Sequence, residues 1–255
     1  MPYLDRDDVR LYFEDSGGDG MPILLSHGFG ASTGMWRGQV EAFRDRYRLI
    51  PWDMRGHGAT ECPEDVSYFS HGHTAADMLA LLDHLDLDKA VIAGHSLGGF
   101  MALDFNVRHP ERVRAMVLQG CGPGYRSDEA RATWNVRAES RARALDDGGL
   151  AGLGGSSEVG VSIQNTAAGL ACAARGILSQ VDASVIDSLP GIAVPVLIIV
   201  GDGDTNYLNG SDYMASRIPG AVNVRVADAG HGVNVDQRDV VNQALGDFLA
   251  ALPES

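Results

Sequence analysis

Short runs of β-forming residues alternate with helix-forming segments along almost the whole chain of 255 residues. Several of these runs, such as those at 89–93 and 194–200, are apolar nearly throughout. Such runs are typical of strands in a parallel sheet that helices cover on both faces. The seven predicted strands lie at 9–13, 23–26, 48–51, 89–93, 113–118, 194–200 and 223–227. The alternation of strand and helix therefore predicts an α/β fold.

Two further patterns complete the predicted sheet and its helices. Apolar residues recur with a helical period in three segments, at 73–86, 97–108 and 234–252. At the amino end, residues 3–4 and 9–13 flank a short charged stretch that leaves no room for a helix, which indicates an antiparallel hairpin. The first strand of this hairpin brings the count to eight. We therefore expect a mostly parallel eight-stranded sheet with helices on both faces.

Residues 123–190 differ from the rest of the chain because they contain no convincing strand. Residues 127–146 and 162–180 predict helices, and a glycine-rich stretch joins them. These glycines neither follow a strand nor open a helix, so they indicate a linker and not a dinucleotide-binding loop. We therefore expect one α/β core, formed by residues 1–122 and 191–255, with residues 123–190 inserted as a helical cap.

Composition narrows the partners and the cellular compartment. The formal net charge of −14 repels nucleic-acid phosphates and anionic lipid surfaces, so neither kind of partner is expected. The longest apolar run, at 193–200, is much shorter than the roughly 20 residues of a membrane span. The charged amino-terminal residues do not resemble a signal peptide, and the three scattered cysteines form no disulfide framework or zinc pattern. A cytoplasmic location is the expectation.

The motif Gly94-His95-Ser96-Leu97-Gly98-Gly99 directly follows the predicted strand at 89–93 and opens a helix. Glycines two residues on either side of the serine permit a sharp turn, which exposes the hydroxyl at the positive end of the helix. The simpler interpretation is a helix start with a capping serine. The position of the motif between strand and helix favours a nucleophile at Ser96.

A second glycine-containing loop supports this interpretation. His27-Gly28-Phe29-Gly30 follows the predicted strand at 23–26, and Gly28 allows the loop to approach the nucleophile closely. In such a turn the backbone amides of Phe29 and Leu97 are suited to stabilise an oxyanion. The alternative is an ordinary turn between strand and helix.

These two motifs and three others together resemble the α/β-hydrolase superfamily over nearly the full length outside the cap. The other three are Asp53-Met54-Arg55-Gly56-His57-Gly58, Gly201-Asp202-Gly203-Asp204 and Ala229-Gly230-His231. A serine in the turn indicates the esterase- and lactonase-like branch with a helical cap, because the dehalogenase and epoxide hydrolase branches have aspartate there. The resemblance also implies that the turn beginning at Asp53 is chiefly structural, so we assign no catalytic role to Asp53, Arg55 or His57.

A nucleophilic serine needs an imidazole to take its proton and a carboxylate to orient that imidazole. His231 lies in a loop just beyond the last predicted strand, at the carboxyl edge of the sheet where Ser96 is expected. A surface loop histidine is the alternative interpretation. The loop after 194–200 offers Asp202 and Asp204, in the chain order Ser, Asp, His that this fold requires. The family resemblance favours Asp204, with Asp202 as its rival.

Residues near these motifs are candidates for contact with a substrate. Met35, Trp36 and Trp134 are the predicted substrate-binding residues, and packing between cap and core is an equally good explanation for each of them. These side chains are apolar or aromatic, so a small to medium apolar ester or lactone is the expected substrate. Three cap arginines, Arg126, Arg131 and Arg137, are suited to bind one carboxylate, although solvated helix faces explain them better.

The expected activity is that of a serine hydrolase that cleaves a carboxylic ester or lactone through an acyl-enzyme, with no cofactor or metal. His71 and His73 resemble a metal-binding pair, but no third ligand is evident nearby. The same residues would also suit a hydrolase of carbon–carbon bonds in vinylogous diketones, or a cofactor-free perhydrolase or haloperoxidase. A ligand receptor is the alternative outside enzymes, and a homo-oligomer is left open.

Overall fold

The computed structural model describes residues 3–63, 65–153, 156–162 and 164–253. Its strands match the predicted positions to within a few residues. They are β1 (Tyr3–Asp5), β2 (Arg10–Tyr12), β3 (Pro22–Ser26), β4 (Arg48–Trp52), β5 (Ala90–His95), β6 (Val113–Gln119), β7 (Val196–Gly201) and β8 (Val222–Val226). The α/β fold class is confirmed.

The eight strands do not form one sheet, which corrects the predicted eight-stranded sheet. Six strands form a parallel sheet in the order β4-β3-β5-β6-β7-β8, and β1 pairs with β2 in a separate antiparallel hairpin. The hairpin segment contacts β4 through an isolated antiparallel bridge between Phe13 and Trp52, and the amide of Glu14 donates to the oxygen of Pro51. Pro51 has no amide hydrogen to return, which interrupts the ladder at the edge of the sheet.

Helices connect the strands and begin where capping residues satisfy free amides. Ser70 accepts a hydrogen bond from the amide of His73, and Ser127 accepts one from Ala130. The helices are α1 (Arg37–Phe43), α2 (His71–His84), α3 (Leu97–Arg108), α4 (Asp128–Gly148), α5 (Ser157–Gly160), α6 (Ala167–Gly176), α7 (Ser184–Ser188), α8 (Leu208–Arg217), α9 (Val233–Asp236) and α10 (Arg238–Ala250). None of the helices in the described ranges is long and apolar enough to cross a membrane.

Apolar side chains fill both faces of the parallel sheet. Successive residues of a strand point to opposite faces, so Leu24 of β3 joins one buried cluster while Ile23 and Leu25 join the other. Helices α2 and α3 contribute to the first cluster, and α1 and α10 to the second. Burial on both faces explains why β5 and β7 are apolar in sequence.

The regular structure in the described part of residues 123–190 is helical and lies between β6 and β7. Helices α4 and α6 pack together, and small side chains such as Ala142 and Ala171 are buried there. Asn165 links this segment to two core loops: its Oδ1 accepts from the amide of Gly58 at 2.7 Å, and its Nδ2 donates to the oxygen of Gly30 at 2.7 Å. The helical segment therefore lies directly over the glycine-containing loops.

Candidate active site

Ser96 lies in the turn between β5 and α3 with a left-handed backbone, at φ +52° and ψ −114°. A Cβ atom at Gly94 would lie 2.1 Å from the oxygen of Gly98, and one at Gly98 would lie 2.2 Å from the oxygen of Ser26. Both glycines are therefore required by contact with backbone, as predicted. A non-glycine residue at positive φ is strained, a feature that clusters at functional sites.

The structure brings Ser96, His231 and Asp204 into one hydrogen-bonded series. Nε2 of His231 lies 2.9 Å from Oγ of Ser96, and its Nδ1 lies 2.8 Å from Oδ2 of Asp204. The Asp204 side chain is almost fully buried, whereas the His231 side chain is 27% exposed. A carboxylate on Nδ1 fixes the tautomer that leaves Nε2 free to accept the serine proton.

Asp202, the alternative candidate for the acid, is not hydrogen-bonded to His231. Asp202 is exposed, its amide donates to the oxygen of Val226 at 2.9 Å, and its carboxylate has no hydrogen-bond partner in the described part of the chain. Asp204 follows β7 and turns inward, while His231 follows β8, so the two loops meet at the carboxyl edge of the sheet. The geometry thus favours Asp204 over Asp202.

Two residues to which the sequence analysis gave no role contact His231, one at its backbone and one at its ring. Nε2 of His95 lies 2.8 Å from the backbone oxygen of His231, and burial lowers the pKa of His95 to about 3. The neutral ring therefore donates its Nε2 hydrogen to that oxygen. The Tyr207 ring is stacked on the imidazole, with centroids 4.9 Å apart and planes at 18°. Tyr207 follows Asp204 by three residues, and this proximity was the available signal.

The loop that contains Phe29 is held against the serine turn. Nδ1 of His27 donates to the oxygen of Gly28 at 2.7 Å, and its Nε2 accepts from the amide of Met54 at 3.0 Å. A Cβ atom at Gly28 would lie 3.2 Å from Cβ of Ser96, which confirms the predicted close approach. Within the described residues, the amides of Phe29 and Leu97 donate to no protein acceptor.

The turn that begins at Asp53 is a buried hydrogen-bonded unit. The Asp53 carboxylate accepts from the amides of Thr33 at 2.7 Å and Ala59 at 2.9 Å, and burial raises its pKa to about 6. The guanidinium of Arg55 is fully buried and pairs with Asp77 at 2.6 Å and with Asp8. Nδ1 of His57 lies 3.1 Å from the oxygen of Arg55, and burial lowers the pKa of His57 to about 4. The carboxylate of Asp53 and the guanidinium of Arg55 are therefore bound largely by residues outside the turn, whereas Nε2 of His57 is buried with no hydrogen-bond partner in the described part of the chain.

Two cavities meet at Ser96, which lines both of them. The larger, of about 400 Å³, is lined by Ser96 and His231 together with Phe29, Trp134 and charged residues of the helical segment. The smaller, of about 230 Å³, shares Ser96 and Trp134 and is lined mainly by apolar and aromatic side chains such as that of Phe100. We name them the polar cavity and the apolar cavity.

Of the three predicted substrate-binding residues, only Trp134 lines these cavities. Met35 and Trp36 are 2% and 0% exposed and belong to the buried cluster on the face of the sheet occupied by α1 and α10. The short 3-10 turn at Thr33–Trp36 directs them into that core, so their assignment to substrate binding was wrong. Trp134 donates its ring N–H to the oxygen of Leu178 at 2.7 Å, which fixes the indole between the two cavities.

The three arginines considered for binding a carboxylate differ in their surroundings. Arg126 forms an ion pair with Asp187 at 2.7 Å, and Arg131 forms one with Asp128, so both guanidinium groups already have acidic partners. Arg137 lines the polar cavity, and so does Arg141, which sequence reasoning missed. The helical spacing of four residues between them was the signal that placed both on one face of α4.

The two histidines considered as a metal pair are used in other hydrogen bonds. Nε2 of His71 lies 2.9 Å from the oxygen of Ile177, and Nδ1 of His73 lies 2.8 Å from Oγ of Ser70. Among the residues that the structure describes, no group of three or more His, Cys, Asp or Glu side chains is arranged to hold a metal ion.

Comparison with known proteins gives relatives over the whole chain. The model of the alpha/beta hydrolase fold family matches residues 21–136. A putative non-heme chloroperoxidase of Synechocystis is 30% identical over 282 residues, covering 98% of this chain and 100% of that protein. The 3-oxoadipate enol-lactonase 1 of Acinetobacter baylyi is 28% identical over 269 residues, covering 97% and 96%.

A solved structure agrees with these sequence relatives. The enol-lactonase of Burkholderia xenovorans superimposes with a TM-score of 0.79 at 26% identity, and the match covers 98% of this chain and 100% of that one. The six-stranded parallel sheet, the serine turn and the full-length relatives agree with one another. The chain therefore belongs to the α/β-hydrolase family.

Proposed function

We propose that the protein is a serine hydrolase that cleaves a small to medium carboxylic ester or lactone through an acyl-enzyme. One observation carries the proposal: the hydrogen-bonded series from Ser96 through His231 to Asp204, at the base of a cavity of about 400 Å³. The names of two relatives, both enol-lactonases, support a cyclic ester as one form of the substrate.

The proposed reaction has two halves. His231 takes the proton of Ser96 as Oγ attacks the carbonyl carbon, and the amides of Phe29 and Leu97 donate to the resulting oxyanion. Collapse of this intermediate breaks the ester bond, and the leaving oxygen receives the proton from His231. Water then attacks the acyl-enzyme by the same route and restores the free serine. Each oxyanion donor of this kind contributes roughly 10²- to 10³-fold in rate.

Other residues have supporting roles in this proposal. Asp204 keeps the proton of His231 on Nδ1 and stabilises the charge that develops on the ring. Residues 123–190 act as a helical cap that covers the nucleophile and selects the substrate, on a core formed by residues 1–122 and 191–255. The contact of Asn165 with both Gly30 and Gly58 supports this division.

A panel of substrates tests the proposal. Turnover of 4-nitrophenyl acetate, 4-nitrophenyl butyrate and a simple lactone is expected, with a burst of nitrophenol equal to the enzyme concentration whenever deacylation is slower than acylation. Preference for a ring-fission dienoate over these esters would instead favour hydrolysis of a carbon–carbon bond. A receptor would be favoured if the protein binds a ligand tightly, turns over none of these substrates and is not labelled by a fluorophosphonate.

The name of the relative in Synechocystis favours one second candidate, cofactor-free haloperoxidase activity. The same acyl-enzyme would be attacked by hydrogen peroxide in place of water, which releases a peracid that oxidises bromide. Bromination of monochlorodimedone in acetate buffer with peroxide measures this activity. Its loss in Ser96→Ala, together with slow hydrolysis of every ester tested, would establish this candidate over the first.

A further inference from the structure

The two cavities at Ser96 have different chemical character. The polar cavity contains Arg137, Arg141 and Glu158, whereas in the apolar cavity the lining residues that the structure describes include no charged side chain. An ester bond at Ser96 therefore has one half in a charged environment and the other in an apolar one. Any substrate that fills both cavities must match this asymmetry.

Arg137 and Arg141 lie one turn apart on α4 and face the polar cavity together. Within the described residues, neither guanidinium has an acidic group within 4.0 Å, although their neighbours Arg131 and Arg143 pair with Asp128 and Glu139. Like charges at this spacing destabilise a helix. In a chain with 34 acidic and 20 basic residues, two such cations beside one cavity indicate an anionic ligand.

Arg141 also contacts the loop beside the nucleophile. Its guanidinium carbon lies 5.4 Å from the centre of the Phe29 ring, a cation–π distance. Phe29 is 8% exposed and its amide is one of the proposed oxyanion donors, so the arginine is held near the reacting bond. A charged group attached to a small substrate can therefore reach a guanidinium while the carbonyl carbon lies at Ser96.

Glu158 sets the number of charges that the polar cavity accepts. Its side chain is 3% exposed, its Oε2 has no hydrogen-bond partner, and neither Arg137 nor Arg141 lies within 4.0 Å of it among the described groups. Two guanidinium groups and one carboxylate leave a single excess positive charge. One anionic group on the ligand balances this charge, and the planar fork of arginine matches a carboxylate.

We propose that the substrate is an ester or lactone with one carboxylate, bound by Arg137 and Arg141 in the polar cavity, and an apolar half in the apolar cavity. This inference rests on the proposed esterase or lactonase function and names its substrate class. It replaces the expectation of a purely apolar substrate. The two arginines are specificity residues in this arrangement and take no part in the chemical step.

Two matched pairs of esters test the inference. In the first pair the acyl half differs, as mono-4-nitrophenyl pimelate (anionic) and 4-nitrophenyl heptanoate (neutral). In the second pair the alcohol half differs, as 4-carboxyphenyl heptanoate (anionic) and 4-carbamoylphenyl heptanoate (neutral). The measured quantity is the ratio of kcat/KM for the anionic ester to kcat/KM for the neutral ester, which cancels effects on the fold and on the chemical step.

The variants are Arg137→Gln, Arg141→Gln, Glu158→Gln and, as a control, Arg143→Gln. The control removes the same charge from the same helix, but the Arg143 side chain is exposed and pairs with Glu139 outside the cavity. We expect Arg137→Gln and Arg141→Gln each to lower the ratio about tenfold in at least one pair, the loss of one charge-assisted hydrogen bond. Glu158→Gln raises the ratio, and Arg143→Gln leaves it at the wild-type value.

The outcomes separate this inference from the proposed function. One outcome would overturn the carboxylate site and leave the serine hydrolase intact. In that outcome the neutral esters are hydrolysed normally, and for both pairs the ratio is the same in Arg137→Gln, Arg141→Gln and Arg143→Gln. Absence of turnover for all four esters, together with no labelling of Ser96 by a fluorophosphonate, would overturn both. The inference is supported if the ratio of kcat/KM values falls in Arg137→Gln and Arg141→Gln but not in Arg143→Gln.

Discussion

The ring of His95 donates a hydrogen bond of 2.8 Å to the backbone oxygen of His231, so the residue next to Ser96 holds the backbone that carries the imidazole. Its other ring nitrogen, Nδ1, is buried without a partner among the described groups and faces Gly28. The serine turn, the Phe29 loop and the histidine loop therefore meet at one buried side chain.

We expect the loss of this donor to misplace His231. His95→Leu removes the hydrogen bond. We expect kcat to fall roughly tenfold, because the loss of about 1.4 kcal/mol in the transition state corresponds to that factor. His95→Gln keeps an N–H donor and should retain more of kcat than the leucine variant does. Steady-state kinetics with one neutral ester measures both, and equal losses in the two variants would contradict the positioning role.

Ser96→Ala should lower ester turnover by at least roughly 10³-fold, because the remaining groups have no nucleophile to activate. The free energy of unfolding should change by less than about 1 kcal/mol, since one hydrogen bond to a partly exposed histidine is lost. Ester kinetics and chemical denaturation measure the two quantities. Retention of more than about a tenth of the activity would show that another residue attacks the substrate.

Asp204→Asn should lower kcat by roughly 10⁴-fold, because an amide no longer fixes the imidazole tautomer. Asp202→Asn is the matched control, since it makes the same change two residues away on an exposed side chain. We expect its kcat to stay within about twofold of wild type, in line with the small effects of exposed substitutions. A larger loss in the Asp202 variant would reverse the assignment of the acid.

Gly28→Ala should damage both stability and activity. The added Cβ would lie 2.7 Å from Nδ1 of His95 and 3.2 Å from Cβ of Ser96, so one of the two loops has to move. Overpacking of this kind costs roughly 1–3 kcal/mol, and displacement of reacting groups by about 1 Å costs roughly 10²-fold in rate. Gly148→Ala is the control, because nothing lies within 4 Å of its Cβ position. Equal melting temperatures and kcat values in the two variants would contradict the close packing.

The stability of the fold should fall as the pH decreases below 6.5. Burial lowers the pKa of His57 to about 4 and of His95 to about 3, and it lowers the pKa of His27 as well. These rings are neutral when folded and bind protons on unfolding, so their contribution is full above pH 6.5 and is lost as the pH falls toward 4 and 3. Each contributes a slope of roughly 1.4 kcal/mol per pH unit.

Two buried carboxyl groups oppose this trend, because burial raises the pKa of Asp53 and also that of Asp77. The folded pKa of Asp53, about 6, lies above the ordinary value of 3.8, so its contribution is full below 3.8 and is lost as the pH rises through 6. The three histidines outnumber the two carboxyl groups, and the net prediction is a lower melting temperature at pH 5 than at pH 7. A melting temperature that stays constant or rises between these pH values would contradict the buried neutral histidines.

The apolar strands were predictable because the sheet is covered on both faces. Runs such as β5 and β7 owe their sequence to that burial, and no tertiary information was needed to find them. The antiparallel hairpin at the amino end was predicted, but its separation from the parallel sheet was not predictable. It depends on Pro51, whose missing amide hydrogen interrupts the ladder only because the chain at Phe13 happens to lie opposite.

Some helices depend on packing that the sequence does not display. Helix α8 contains Asn209, Gly210, Ser211 and Asp212, a composition typical of a turn, and it forms because it packs against β7 and β8. Helix α1 has only seven residues, too few for a clear period.

The motifs predicted that Ser96, His231 and Asp204 come together, but they did not predict which residues line the cavities. Proximity in sequence suggested Met35 and Trp36, whereas the direction of their side chains depends on a 3-10 turn that places them in the core. Arg141 and Tyr207 reach the site through the approach of α4 and the acid loop, which only the tertiary structure defines.

In the proposed mechanism, His231 activates Ser96 for attack on an acyl carbonyl. Labelling with a fluorophosphonate, followed by intact mass and peptide mapping, measures it most directly. We expect one label per chain on Ser96, none in Ser96→Ala, and labelling slowed by roughly 10³-fold or more in His231→Ala. A label on another residue, or an unchanged rate of labelling in His231→Ala, would contradict the account.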